Sequence, residues 1–184
     1  TKAQKFKFNK IKMVDNGNYQ IVMRQNNNKA LDISGGSYDD NANLQIWDKV
    51  NVSQQIFNIR AIDNTYYKII AKHSKKVLTV DSKNNVVQAT DKNTDNQKWS
   101  FESLGNGYYR IKSKSNGLYL DVLNNGTKNG TNVQTYKANG AVAQQFKLNK
   151  INEKNGIDVS FYQNAINWMN VSRTAYSDFA MIRA

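Results

Sequence analysis

Short runs in which apolar and polar residues alternate, separated by clusters of Asn, Gly, Asp and Ser, fill the chain from Gly17 to Leu148. A period of two belongs to a strand with one buried face, and those clusters favour the tight turns that join strands. Ser34-Gly35-Gly36, Asn124-Asn125-Gly126 and Asn129-Gly130 are the clearest turn signals. The runs also recur. The first copy reads Tyr19-Gln20-Ile21, Leu31-Asp32-Ile33, Leu44-Gln45-Ile46-Trp47 and Gln55-Ile56-Phe57. The second reads Tyr66-Tyr67-Lys68-Ile69, Leu78-Thr79-Val80, Val87-Gln88 and Gln97-Lys98-Trp99. The third reads Tyr108-Tyr109-Arg110-Ile111, Leu120-Asp121-Val122, Val133-Gln134-Thr135-Tyr136 and Gln144-Gln145-Phe146. The closing aromatics Phe57, Trp99 and Phe146 are spaced by 42 and 47 residues. Three copies of four strands, with no helical pattern before residue 150, predict an all-β fold of the β-trefoil kind. A propeller has a similar period but needs at least four blades.

The terminal motif of each copy, Gln-x-aromatic followed by an apolar residue two further on, resembles the Gln-x-Trp repeat of ricin-B-type lectins (the carbohydrate-binding module family 13 type). The match covers about residues 16 to 148. Read as residues, Phe57, Trp99 and Phe146 are core rings that fill the barrel.

A sugar offers a fixed pattern of hydroxyls and one face of C–H groups. Binding it takes a carboxylate to accept from hydroxyls, an aromatic ring under the apolar face, and an amide to complete the fan. The first copy supplies Asp32, Gln45, Trp47, Gln54 and Gln55; the third supplies Asp121, Gln134, Tyr136 and Gln144. In both, 15 residues separate the Asp from the ring and 8 separate the ring from the closing Gln. The second copy has Thr79 for the Asp and Thr90 for the ring, with a shorter loop between, and is expected to be silent. Ricin-type lectins hold their sugar through these roles, so the resemblance implies galactose-like or cell-wall carbohydrate as partner and no cofactor. The family commonly carries Asn before the closing Gln. Here that slot is Gln54, Asn96 and Ala143 in turn, which sets the galactose preference in question.

Charge narrows the setting. The formal net charge is +12, and after Ile151 the three basic and three acidic residues cancel, so the excess sits in residues 1–150. An anionic surface suits it, cell-wall polymers included. The lysines are spread singly, with Lys75-Lys76 the only basic pair, unlike a nucleic-acid groove. The chain has no cysteine, so no disulfide or thiolate metal site is expected. His73, the only histidine, reads as a surface turn residue. No apolar run is long enough to span a membrane. An export signal, if used, is expected upstream of Thr1, because the opening residues are basic and alternating. The expectation is a monomeric module.

Both ends differ from the middle. Gln4-Lys5-Phe6-Lys7-Phe8-Asn9-Lys10-Ile11 parallels Gln144–Ile151, so residues 1–8 are expected to be the last strand of a preceding trefoil or an N-terminal strand of the one that follows, with the trefoil itself at 9–150. From 151 to 184 the pattern becomes strand, helix, strand: Gly156–Ser160, Ile166–Ala175 and Phe179–Ile182. Gly156-Ile157-Asp158-Val159-Ser160-Phe161-Tyr162-Gln163, then Ile166-Asn167-Trp168, then Phe179–Ala184 resembles the start of glycoside hydrolase family 25 lysozymes. The resemblance implies a βαβ fragment of an α/β barrel, with Asp158 at a strand end as one active-site acid. It implies a secreted or wall-associated bacterial or phage protein. Glycoside hydrolysis takes a carboxyl pair, and the family's Asp-x-Glu partner does not follow, so this stretch is expected to be inactive by itself.

Overall fold

The computed structural model describes residues 12–152. The readings for residues 1–8 and for the strand–helix–strand segment with Asp158 lie outside the described residues. Within them are twelve strands, four per copy. The first copy holds β1 (Gly17–Met23), β2 (Lys29–Ile33), β3 (Leu44–Asp48) and β4 (Ile56–Ala61). The second holds β5 (Tyr67–Ala71), β6 (Val77–Val80), β7 (Val86–Ala89) and β8 (Trp99–Gly105). The third holds β9 (Tyr108–Ser113), β10 (Tyr119–Val122), β11 (Val133–Tyr136) and β12 (Phe146–Ile151). The only helical pieces among the described residues are single 3₁₀ turns. The fold is an all-β trefoil.

The outer strands of each copy form the barrel. β1 pairs with β4, β4 with β5, β5 with β8, β8 with β9, β9 with β12, and β12 closes onto β1. Closure gives the six barrel strands partners on both sides. The inner strands form three hairpins, β2–β3, β6–β7 and β10–β11, each hung from the first strand of its copy. Phe57, Trp99 and Phe146 are fully buried, together with Ile21, Leu31, Ile69, Leu78, Ile111 and Leu120. The closing aromatics are therefore core, as the residue reading held. Trp99 also donates its indole N–H to Leu78 O at 3.0 Å, satisfying the polar atom that a buried indole carries.

Two devices tie the copies together. Asn43, Asn85 and Asn132 each stand one residue before the third strand of a copy. Asn132 Nδ2 donates to Asn85 Oδ1 at 2.8 Å, and Asn85 Nδ2 donates to Asn43 Oδ1 at 2.9 Å. The second device is a relay of loops. Asn41 N donates to Gln88 O, Thr135 N to Asn84 O, and Gly130 N to Ile46 O, so each hairpin loop bonds to the next copy in turn. Asn41, Asn84 and Gly130 all adopt left-handed backbone, with φ of 67°, 63° and 82°. Asn and Gly are the residues that tolerate it.

Candidate functional site

Antiparallel pairing sets Asp32 on β2 opposite Gln45 on β3, and Ala30 opposite Trp47. Alternation then puts Asp32, Gln45 and Trp47 in one cleft of about 340 Å³ on the hairpin. Asp32 is 5% exposed, whereas Trp47 is 42% exposed and presents its ring to solvent. Gln45 Nε2 donates to Asp32 Oδ1 and Gln55 Nε2 to Asp32 Oδ2, both at 3.1 Å. Each carboxylate oxygen keeps acceptor capacity beyond the one amide it meets. Ser34, Gly35, Gly36, Val50, Val52 and Gln54 also line the cleft. Gly35 and Gly36 are left-handed, with φ of 63° and 60°.

The third copy repeats this geometry 89 residues on. Asp121 lies opposite Gln134, and Tyr119 lies opposite Tyr136. Gln134 Nε2 donates to Asp121 Oδ1 at 3.3 Å, and Gln144 Nε2 to Asp121 Oδ2 at 3.0 Å. Tyr136 is exposed and Asp121 buried, in a cleft of about 400 Å³ lined also by Leu123, Asn124, Asn125 and Asn139. Asn124 and Asn125 take the left-handed conformation that Gly35 and Gly36 take in the first copy. Apart from Gln54, the flanking residues and the Val50/Asn139 position were not among the sequence candidates. The signal for Gly35, Gly36, Asn124 and Asn125 was the turn cluster that follows each Asp.

Gln55 and Gln144, expected among the ligand groups, are both 0% exposed and present no amide to solvent, although Gln55 reaches the lining of the first cleft. Gln55 instead donates to Asp48 O at 2.8 Å as well as to Asp32, and accepts from Val50 N at 2.9 Å. Gln144 does the same with Lys137 O and Asn139 N. Gln97, in the copy without a carboxylate, bonds Thr90 O, Lys92 N and Thr79 Oγ1. The closing Gln is thus a staple beneath the cleft that braces the loop and aims the carboxylate. Gln54 stays at the cleft surface, where a Cβ built on Gly36 would lie 3.6 Å from its side chain.

The second copy is corrected in register. Ala89, not Thr90, holds the ring's place, because Val77 pairs with Ala89 as Ala30 pairs with Trp47. Likewise Val87, not Gln88, faces Thr79. Gln88 is fully buried and donates to Ser37 O and Asp39 O, gripping the loop of the first copy. Thr79 turns its hydroxyl to Val77 O, and Asp81 caps a tight turn at Lys83 N and Asn85 N where the other copies have a long loop. His73 is not a free surface residue either. It is half-buried, its Nε2–H donates to Ser37 O at 2.9 Å, and Tyr38 packs edge-on against its ring.

Burial pushes the Asp32 carboxyl above the usual aspartate range. The amides of Gln45 and Gln55 and the field of His73 pull the other way but do not cancel it.

A family model described as ricin-type beta-trefoil lectin domain-like matches residues 2–92 and 95–177. The chain belongs to the ricin-type β-trefoil lectin family. The second match runs past β12 into the segment that resembles a lysozyme opening. Flavastacin from Elizabethkingia meningoseptica is 30% identical over 152 residues, which cover 74% of this chain and 33% of flavastacin. The chain therefore spans about a third of that relative's length. Among solved structures, the designed threefold-symmetric protein ThreeFoil has a TM-score of 0.70 at 34% identity, over 73% of this chain and 99% of its own. The exo-β-1,3-galactanase 1,3Gal43A from Clostridium thermocellum has a TM-score of 0.70 at 30% identity, over 74% of this chain and 31% of its own. The earthworm R-type lectin C-half, solved with GalNAc, shares the fold at 18% identity and a TM-score of 0.59, over 73% of this chain and 99% of its own. Among the described residues no helix is long and apolar enough to cross a membrane.

Proposed function

We propose that this trefoil is a carbohydrate-binding module with two working clefts, at Asp32/Trp47 and Asp121/Tyr136. The observation that carries the reading is a buried carboxylate held by two amides beside an exposed ring, present twice and absent from the second copy. A pyranose lays its C–H face on the ring and donates two hydroxyls to the carboxylate, with Gln45 or Gln134 at the edge of the fan. The galactanase and the GalNAc-bound lectin in the same fold favour galactose-type sugars among the candidates. Single shallow clefts bind weakly, and two of them in one rigid body bring avidity on a repeating glycan.

The wider role is to hold a secreted peptidoglycan-degrading enzyme of the family 25 lysozyme type on a bacterial wall. Its support is the Gly156–Gln163, Ile166–Trp168 and Phe179–Ala184 motifs and the basic excess before them. Asp158 is one acid of that enzyme's site, and anionic wall polymers add charge-based retention. Pull-down on purified peptidoglycan sacculi, with and without wall polymers, tests the whole. Binding that free sugar competes away, and that Asp32→Ala/Asp121→Ala abolishes, is the expected result. Binding that responds only to salt would refute the lectin sites and leave the charge as the targeting device. Galactose-inhibited binding to animal cells, with none to sacculi, would replace the wall with a host glycan.

A further inference from the structure

The two clefts share their centre and differ at their lips. The offset of 89 residues pairs Gly35 and Gly36 with Asn124 and Asn125, and Val50 with Asn139. The lining of the first cleft therefore combines two bare glycines with Val50, 48% exposed, and Val52. An exposed valine on a cleft rim has apolar surface to offer a ligand. At the positions that match Gly35, Gly36 and Val50 the third cleft has amide side chains, donors and acceptors with no methyl surface, while its Leu123, 36% exposed, stands where the first cleft has Ser34. Trp47 also offers a wider apolar platform than Tyr136, whose ring ends in a hydroxyl.

From this asymmetry, and resting on the carbohydrate reading above, we infer that the two clefts select different sugars. The Asp32 cleft takes an N-acetylated hexosamine, seating the acetamido methyl against Val50 and Val52. The Asp121 cleft takes a hexose that presents only hydroxyls, which Asn124, Asn125 and Asn139 meet. Val50 is the specificity-determining position. Its backbone N–H bonds Gln55 and its carbonyl accepts from Gln20, so a side-chain change leaves those bonds in place.

Single-cleft proteins decide it. Asp121→Ala reports the first cleft and Asp32→Ala the third; Asp32→Asn and Asp121→Asn serve where an alanine variant unfolds by circular dichroism. Each is titrated by NMR with galactose and N-acetylgalactosamine, and with glucose and N-acetylglucosamine. The preference for the N-acetylated member of a pair should be about three- to fivefold greater in the first cleft than in the third, the scale of one methyl removed from water. Val50→Asn in the first cleft should erase that excess, and Asn139→Val should create it in the third. Equal preferences in the two clefts, or a first-cleft preference that survives Val50→Asn, would overturn the inference while leaving sugar binding intact. Wild-type protein that binds no member of either pair would remove the carbohydrate reading itself.

Discussion

Replacing Gln55 by Ala should cost more stability than replacing Gln97 by Ala, although both side chains fill the same place in their copies. Gln97 makes three neutral hydrogen bonds, to Thr79 Oγ1, Thr90 O and Lys92 N. At about 1 kcal/mol each, its loss costs about 3 kcal/mol. Gln55 makes the matching bonds to Asp48 O and Val50 N, accepts from Gln20 at 3.3 Å, and donates to an aspartate where Gln97 meets a hydroxyl. A bond to a charged group contributes about 1.5–3 kcal/mol, and Asp32 would keep a single amide donor in a buried site. The loss at Gln55 is then about 4.5–6 kcal/mol at neutral pH, about 1.5–3 kcal/mol more than at Gln97. The gap depends on the charge. The folded pKa of Asp32 lies above its unfolded value, so acid neutralises it in the folded protein before a free aspartate would protonate. Below the folded pKa the bond to Gln55 becomes neutral, and the gap should shrink to about 1 kcal/mol, the bond from Gln20. Urea unfolding of the two variants at neutral pH and at stepwise lower pH measures this. Equal losses at neutral pH, or a gap unchanged on acidification, would refute the claim that Gln55 braces an ionised carboxylate.

The same sign governs binding: in the Asp121→Ala protein, sugar affinity should fall as pH drops through the raised Asp32 pKa, starting above the usual aspartate range, as calorimetry across that interval would read. Tryptophan emission should respond to sugar through Trp47, 42% exposed, and not through the buried Trp99. Trp47→Phe should remove the signal, and Trp47→Ala should weaken first-cleft binding about three- to tenfold. Asn85→Ala breaks the asparagine chain on both sides and should lower stability by about 2 kcal/mol, against about 1 kcal/mol for Asn132→Ala, by thermal unfolding at one pH.

Strand number, repeat boundaries and the carboxylate–ring pair were legible because strand alternation and turn chemistry are local. Asp32 and Trp47 share a face because a strand has a period of two, whatever the rest of the chain does. What stayed hidden depends on which way a side chain points and on contacts between copies. That Gln55 and Gln144 brace their loops was hidden because nothing local tells whether an amide in a turn points in or out. The clue was Gln97, kept in the copy that has no carboxylate and no ring. The second copy slipped by one residue because its short hairpin offers Gln88 beside the expected slot, while pairing selects Val87 and Ala89. His73 lies in a turn as expected, but its bond to Ser37 was hidden because Ser37 comes from the preceding copy's loop. The asparagines of the central chain were overlooked, although each stands one place before a third strand.

The loop relay has a consequence for how such a protein diversifies. The segment from Ser34 to Ala42 shapes the lip of its own cleft at one end and braces the neighbouring hairpin at the other. In the same way the third copy's loop comes up behind the first cleft, where a Cβ on Gly130 would sit 3.8 Å from Trp47. Each proposed binding site is thus jointly owned by two repeats. Shuffling or duplicating one repeat transplants half a site and disturbs half of another. The second copy can lack the carboxylate and ring and still be needed, because its neighbours lean on it. The heritable unit of specificity in this trefoil is the seam between repeats, and a designer who wants a third working cleft would have to rebuild two loops at once.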